Sequence, residues 1–223
     1  MTTVAGHQPL FLPSSRFFFK MAHADILDLR IHAQFTAGGY FHRVKMRDKW
    51  FTLPLAPKPG QFDSIDSVRV DLPKAKEMFR NTVSGRYGGA PHYKAVGPDL
   101  IERFDAITSD YLWQIDLEMI MYLRDQLGIE TPIGLGVKTI GGKAEGVLST
   151  LRCYPGVDTY LSGLGAKKYM SDTSCFDQAG IKVVWSNHAP ATDDSIVTIM
   201  MDHRDPIDFV MAEQEATELR SAM

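Results

Sequence analysis

The sequence predicts an α/β fold, a mostly parallel sheet flanked by helices with an antiparallel hairpin near residues 41–55. Three observations carry this. Apolar strand-like runs alternate with helical stretches over the last third of the chain, the middle is helical, and two early strand patterns are joined by the tight turn Arg47-Asp48-Lys49. With 44% hydrophobic and 23% charged residues, the 223-residue chain lies in the range of globular proteins, which excludes disordered, collagenous and coiled-coil classes.

Thr3 to Gly6 reads as a short buried strand ending in the loop His7-Gln8-Pro9. Pro13 then precedes Ser14-Ser15, an N-cap for the apolar run Phe17 to Ala24. Ile26 to Ile31 alternates as a half-buried strand does, and Gly38-Gly39 marks a turn. His42–Met46 and Trp50–Leu55 form the hairpin, and after a loop with Pro57, Pro59 and Gly60 a strand is expected over Val68–Leu72.

Ala75, Met78, Phe79 and Val83 are spaced for a helix over Lys74–Tyr87, stopped by glycines at 85, 88 and 89. Further helices are expected over Asp99–Thr108 and Asp110–Leu127. Next come a strand at Ile133–Val137, a helix at Lys143–Tyr154, and strands at Thr159–Ser162, Ile181–Trp185 and Ser195–Met201. A helix over Pro206–Leu219, with proline in its first turn, closes the chain. The linker-like stretch 56–67 is too short to divide the chain, so a single domain over 1–223 is expected.

The net charge of −3 hides an asymmetry. Residues 1–100 carry +6 and residues 101–223 carry −9. Within 30–49 stand Arg30, His32, His42, Arg43, Lys45, Arg47 and Lys49, opposed only by Asp48. Such a cluster suits phosphates, from a nucleotide or a nucleic-acid backbone, although a solvated sheet face would look the same. Two cysteines are too few for a disulfide framework, and neither a basic, apolar leader nor a membrane-length apolar run is visible. A cytoplasmic protein without a membrane partner is the expectation.

Several motifs fail on inspection. Gly136-Val137-Lys138-Thr139-Ile140-Gly141-Gly142-Lys143 lacks the upstream glycine and the Ser/Thr after lysine that a phosphate-binding P-loop needs; a glycine-rich turn touching an anion stays open. There is no zinc signature and no GxSxG. Asp193-Asp194 with Asp202-His203-Arg204-Asp205 could hold a divalent ion through oxygens, but such residues more often serve as loop acids. Cys175 beside Phe176 reads as a small buried residue rather than a nucleophile. Ser162-Gly163 stands where a parallel sheet binds ligands, beyond a strand's C-terminus, and equally fits a plain turn.

The N-terminal loop is the most informative. His7 can serve as acid or base near neutral pH, and Gln8 offers both donor and acceptor. A histidine that merely caps its own turn is the plainer alternative.

This loop and the residues after it resemble the WbqC-like family. The pattern His7-Gln8-Pro9-Leu10-Phe11-Leu12-Pro13 is followed by the aromatic, lysine-bearing Phe17-Phe18-Phe19-Lys20-Met21-Ala22. The likeness continues through Gln34-Phe35, Arg43-Val44-Lys45, Trp50–Leu55, and Arg80 followed by Arg86-Tyr87-Gly88-Gly89-Ala90-Pro91-His92-Tyr93. Leu127-Gly128-Ile129, Tyr160-Leu161-Ser162-Gly163, Tyr169 and Gly180-Ile181-Lys182-Val183 complete it. It also departs: Ile31-His32-Ala33 replaces paired acids before Gln-Phe, Thr36-Ala37-Gly38-Gly39 replaces a lysine and an aromatic after it, and Asp116 stands for an asparagine.

The resemblance implies a transferase that joins an amino acid, glycine-like, to an activated phosphorylated acceptor, with no organic cofactor. The favoured acceptor is a pyrophosphorylated 5-hydroxymethyl pyrimidine in viral DNA, acting in a host cytoplasm, because the basic first half favours a polyanion. The alternatives are transfer onto a nucleotide-linked sugar in surface-polysaccharide synthesis, a non-catalytic nucleic-acid-binding module, and a fold whose motif residues serve packing alone. Under the transferase expectation His7 is the base or orienter and Gln8 positions it. Arg43, Lys45, Arg80 and Arg86 hold phosphate, Tyr87 and Ser162 bind substrate hydroxyls or amines, and Asp116 holds the incoming ammonium.

Overall fold

The protein is described by a computed structural model covering residues 1–141, 143–168, 170–186, 188 and 190–211. The chain opens with β1 (Thr2–His7), α1 (Ser15–Ala22) and β2 (Ile26–Leu29), then the hairpin β3 (Arg43–Met46) and β4 (Lys49–Thr52). Three helices come next, α2 (Leu72–Tyr87), α3 (Tyr93–Ala106) and α4 (Leu112–Gln126), and then β5 (Ile133–Leu135) and α5 (Lys143–Leu151). The last elements are β6 (Val157–Gly163), α6 (Ser174–Gln178), β7 (Lys182–Ser186), α7 (Ile196–Asp202) and α8 (Pro206–Met211).

Five strands form one sheet in the order β5-β2-β1-β6-β7, every pair parallel. The hairpin makes a separate two-stranded antiparallel sheet. The expected fold class is therefore the observed one. Right-handed crossovers explain the layering. The steps β1→β2 and β2→β5 run one way along the sheet; β5→β6 and β6→β7 run the other. A fixed hand must then put the connecting helices on opposite faces. They are found so: Ala5, Leu27, Leu29 and Leu161 pack with α1 and the α2–α4 layer. Their strand neighbours Val4 and Tyr160 pack with α5 and α6.

Local signals set the element ends. Asp71 caps α2 by accepting from the Lys74 amide at 3.3 Å. Arg47 and Asp48, both at positive φ, make the two-residue turn that lets the hairpin strands keep their twist. Ser14 is the N-cap of α1, as expected, though its side chain makes no capping bond.

Three expectations need correction, and one helix was not foreseen. Val68–Leu72 is not a strand: Val68 and Val70 are buried, but only isolated bridges, Leu55–Val70 and Arg69–Tyr111, form before Asp71 starts α2. Ser195–Met201 is not a strand either. Ser195 caps α7 by accepting from the Val197 amide at 3.1 Å, and the apolar run after it is a helix buried on nearly all sides. Helix α3 starts at Tyr93, six residues before the expected start, and runs through Pro98. The short α6 carried no periodic signal. Of the closing helix expected over Pro206–Leu219, residues 212–219 lie outside the described residues.

Candidate functional site

Strand β1 lies where the sheet changes winding direction, between β2 and β6. In such sheets the crevice beyond the strand C-termini is left open by the diverging connections, and ligands bind there. The C-terminal residues at this point are Gly6 and His7 of β1 and Ser162 and Gly163 of β6.

A cation reaches this edge from each face of the sheet. Lys20 comes from α1, where it is the charged residue in an otherwise aromatic, buried turn. It is only 4% exposed, and its Nζ lies 3.5 Å from the Gly6 carbonyl oxygen. A Cβ placed on Gly163 would lie 3.8 Å from the same Nζ. No carboxylate pairs with Lys20 among the described residues. Burial first, then the nearby Arg30 and Arg16, pull its pKa down to about 7.

Arg30 comes directly after β2 and folds back over β1 on the opposite face. Its Nε donates to Asp28 at 3.0 Å, and its guanidinium carbon stands 5.3 Å from the centre of the Tyr160 ring. Asp28 is fully buried and also accepts from Tyr154 at 2.7 Å and Thr150 at 3.2 Å. Arg30 is thus aimed by a carboxylate that α5 fixes in turn, while its buried Nη2 has no partner. Gly6 makes the approach possible: a Cβ there would sit 2.3 Å from that Nη2. Gly136 does the same for the loop after β5, since its Cβ would stand 2.9 Å from Asp28 Oδ1.

His7 ends β1 between these cations and is half-buried. Its Nδ1 lies 2.8 Å from the carbonyl oxygen of Gln8, and the ring packs edge-on against Phe17 at 5.0 Å. A carbonyl can only accept, so Nδ1 carries the proton and donates. Burial, then Lys20, lower the His7 pKa well below the ordinary value; Arg30 adds to this, while the Gln8 carbonyl opposes it. The imidazole is neutral at pH 7, with its Nε2 lone pair free of any described protein partner. That is the protonation state a general base requires.

The other sequence candidates fall in three places. Ser162 belongs to the crevice: β1–β6 pairing ends at Ala5–Leu161, so Ser162 stands abreast of Gly6 on the face of Tyr160. Gln8 contributes the carbonyl that orients His7. Arg43 and Lys45 lie on the outer face of the hairpin against Trp50, at 4.4 and 5.8 Å from its ring centre.

The remaining four are not brought to His7. Arg80 pairs with Asp105 between α2 and α3 at 3.1 Å. Arg86 donates to the carbonyls of Met46, Lys49 and Trp50, tying α2 to the hairpin. Tyr87 is buried on Thr198 at 2.7 Å, and burial pushes its pKa up to about 12. Asp116 is enclosed in the core of α4, with neither carboxylate oxygen partnered. Burial raises its pKa well above the usual carboxylate range. Arg80, Arg86 and Tyr87 make their described contacts away from the crevice, and Asp116 lies in the helical core.

The acidic segment considered for a divalent ion is otherwise engaged. Asp194 accepts from the Asp48 amide at 3.2 Å and from Thr198 at 3.1 Å. Asp202 pairs with Arg47. Among the described residues no three His, Cys, Asp or Glu side chains gather as ligands.

Sequence reasoning counts Arg30 in the basic cluster and Lys20 in the motif but gives neither a role at the site. Each leaves a trace: one charge inside a run of phenylalanines, and an arginine directly after a strand holding an inward aspartate.

The family model for the WbqC-like protein family matches residues 8–193. The chain belongs to the WbqC-like family. No curated protein and no solved structure matches it. In this WbqC-like protein the matched region includes Lys20, Asp28, Arg30 and Ser162, and begins one residue after His7. Tyr169 of the motif and Gly142 of the glycine-rich turn lie outside the described residues. No described helix is long and apolar enough to cross a membrane.

Proposed function

We propose that this WbqC-like protein transfers the amine of an amino acid onto a phosphorylated acceptor, and that the crevice at the end of β1 is where the bond forms. The observation that carries the proposal is the meeting, at a sheet's switch point, of a neutral His7 with two buried cations, Lys20, which has no carboxylate partner among the described residues, and Arg30, which Asp28 holds in place. A neutral imidazole can take a proton from an incoming ammonium or amine. Fixed cations in a water-poor site stabilise charge that grows on a departing phosphate. Asp28 is withheld from Lys20 by its three donors, so the lysine is available to an anion.

With the favoured acceptor, a pyrophosphorylated 5-hydroxymethyl pyrimidine in DNA, the amine nitrogen forms a bond to the exocyclic methylene carbon. The carbon–oxygen bond breaks, and its electron pair leaves on pyrophosphate beside Lys20 and Arg30. One amine proton passes to His7 Nε2 and from there to solvent. Ser162 contacts the substrate from the β6 side.

The test is mass spectrometry of the acceptor after incubation with glycine and a panel of amino acids, using the DNA acceptor in one arm and nucleotide-linked amino sugars in the other. A mass gain with pyrophosphate release in the DNA arm, lost in Lys20→Met, is the expected result. A gain only in the sugar arm moves the activity to polysaccharide chemistry. No gain in either arm, with anions still bound, overturns transfer in favour of a binding module.

A further inference from the structure

We propose that the outer face of the β3–β4 ribbon is a docking surface for single-stranded nucleic acid, which delivers an unpaired acceptor base to the crevice. The inference takes its acceptor class from the function proposed above. It rests on different residues.

Strand alternation turns Val44, Met46 and Phe51 inward, where all three are buried. It turns Arg43, Lys45 and Trp50 outward, with Lys45 directly across from Trp50 in the register. The core therefore gains its apolar contacts from Phe51 and has no need of the indole beside it. Yet Trp50 stands 41% exposed, and Tyr40 packs on it at 5.5 Å while 47% exposed itself. Arg43 lies 4.4 Å from the indole centre, its Nη2 fixed by a 2.7 Å bond to the Gly38 carbonyl. Neither Arg43 nor Lys45 is paired with a carboxylate among the described residues, in a chain whose net charge is negative.

Two partly exposed aromatic rings, one with Arg43 against its face, and cations without a carboxylate partner among the described residues match a ligand that is flat and anionic in alternation. Stacked bases with phosphates between them have that chemistry, and a duplex does not, since its base faces are hidden. The ribbon is also tied to the chain just after His7. The Phe11 amide donates to the Tyr40 carbonyl at 3.2 Å, and Phe11 is four residues after His7. Four residues of extended chain span at most about 14 Å. A strand stacked on Trp50 and Tyr40 thus has the His7 crevice within a few nucleotides.

Fluorescence anisotropy of a labelled oligo-dT with the full chain tests this at two salt concentrations. The wild type should bind, more weakly as salt rises. Trp50→Ala should weaken binding by about fivefold or more, and Trp50→Phe should restore most of it. The double variant Arg43→Ala/Lys45→Ala should bind more weakly and lower the salt slope by about two phosphate contacts. Arg80→Ala, whose guanidinium is occupied with Asp105, should bind as the wild type does. Thermal melts establish that each variant is folded.

Three results overturn the proposal: no binding of single strands by the wild type, binding indifferent to Trp50 and to the cation pair, or duplex or anionic vesicles bound more tightly than single strands. Binding that depends on the ribbon without any transfer of amino acid leaves this inference standing and removes the catalytic one. Transfer to a free nucleotide acceptor without ribbon-dependent strand binding does the reverse.

Discussion

At the scale of single residues, Lys20 carries the clearest conflict between stability and function. A charged amine in this environment is costly, and its pKa falls to about 7 against an ordinary 10.5. Between those values the unfolded chain holds a proton that the folded chain lacks, so stability should rise with pH from about 7 toward 10. Lys20→Met should flatten that rise and raise stability near pH 7 by roughly 2 kcal/mol or more, measured by urea unfolding, while abolishing transfer. A variant that is less stable than wild type at pH 7 would contradict the burial cost.

His7 and Lys20 also set the expected pH dependence of turnover. The acid limb belongs to His7, whose lowered pKa keeps it neutral below the ordinary histidine range, so activity should persist below pH 6.5. The alkaline limb belongs to Lys20. It should fall near pH 7 in kcat/KM and move upward in kcat, because a bound phosphate favours the ammonium. His7→Ala should lower kcat by about 10²- to 10⁴-fold and remove the acid limb.

At the scale of elements, buried polar contacts decide what the apolar pattern leaves ambiguous. Ile196 to Met201 is apolar but for Thr198 and rich in β-branched residues, as suits a strand. The Ser195 cap makes it a helix. Ser195→Ala should cost about 1 kcal/mol in denaturant unfolding without altering the crevice. Asp28 matters more. It holds Arg30 across β1 and is itself held by Thr150 and Tyr154. Asp28→Ala leaves a mostly buried guanidinium without its partner and should cost about 3–5 kcal/mol. Asp28→Asn, which keeps the shape, should unfold less readily but lose affinity for anions as Arg30 loses its aim.

At the scale of the whole molecule, the two faces of one sheet each send a cation to a common edge. Pyrophosphate added to the wild type should therefore raise the thermal midpoint, by an amount equivalent to about 2.7 kcal/mol at a hundredfold excess over its dissociation constant. Lys20→Met should lose most of that shift, whereas Arg80→Ala should keep it, because Arg80 is occupied with Asp105. Equal shifts in both would place the anion elsewhere.

The parallel sheet and the hairpin come from the sequence by itself, because hydrophobic period, turn residues and capping serines act over a few neighbouring positions. The family, too, is written in local motifs. Which cations meet His7 is not local. Arg43, Arg80 and Arg86 share a basic first half with Lys20 and Arg30, and charge along the chain does not distinguish them. Only the tertiary structure does so: the β1–β2 crossover lays α1 with Lys20 on one face of β1, and strand alternation turns Asp28 and Arg30 to the other. The charges of Lys20 and Arg30 meet over a glycine that leaves room, while the other arginines find a carboxylate, a set of carbonyls or an indole first.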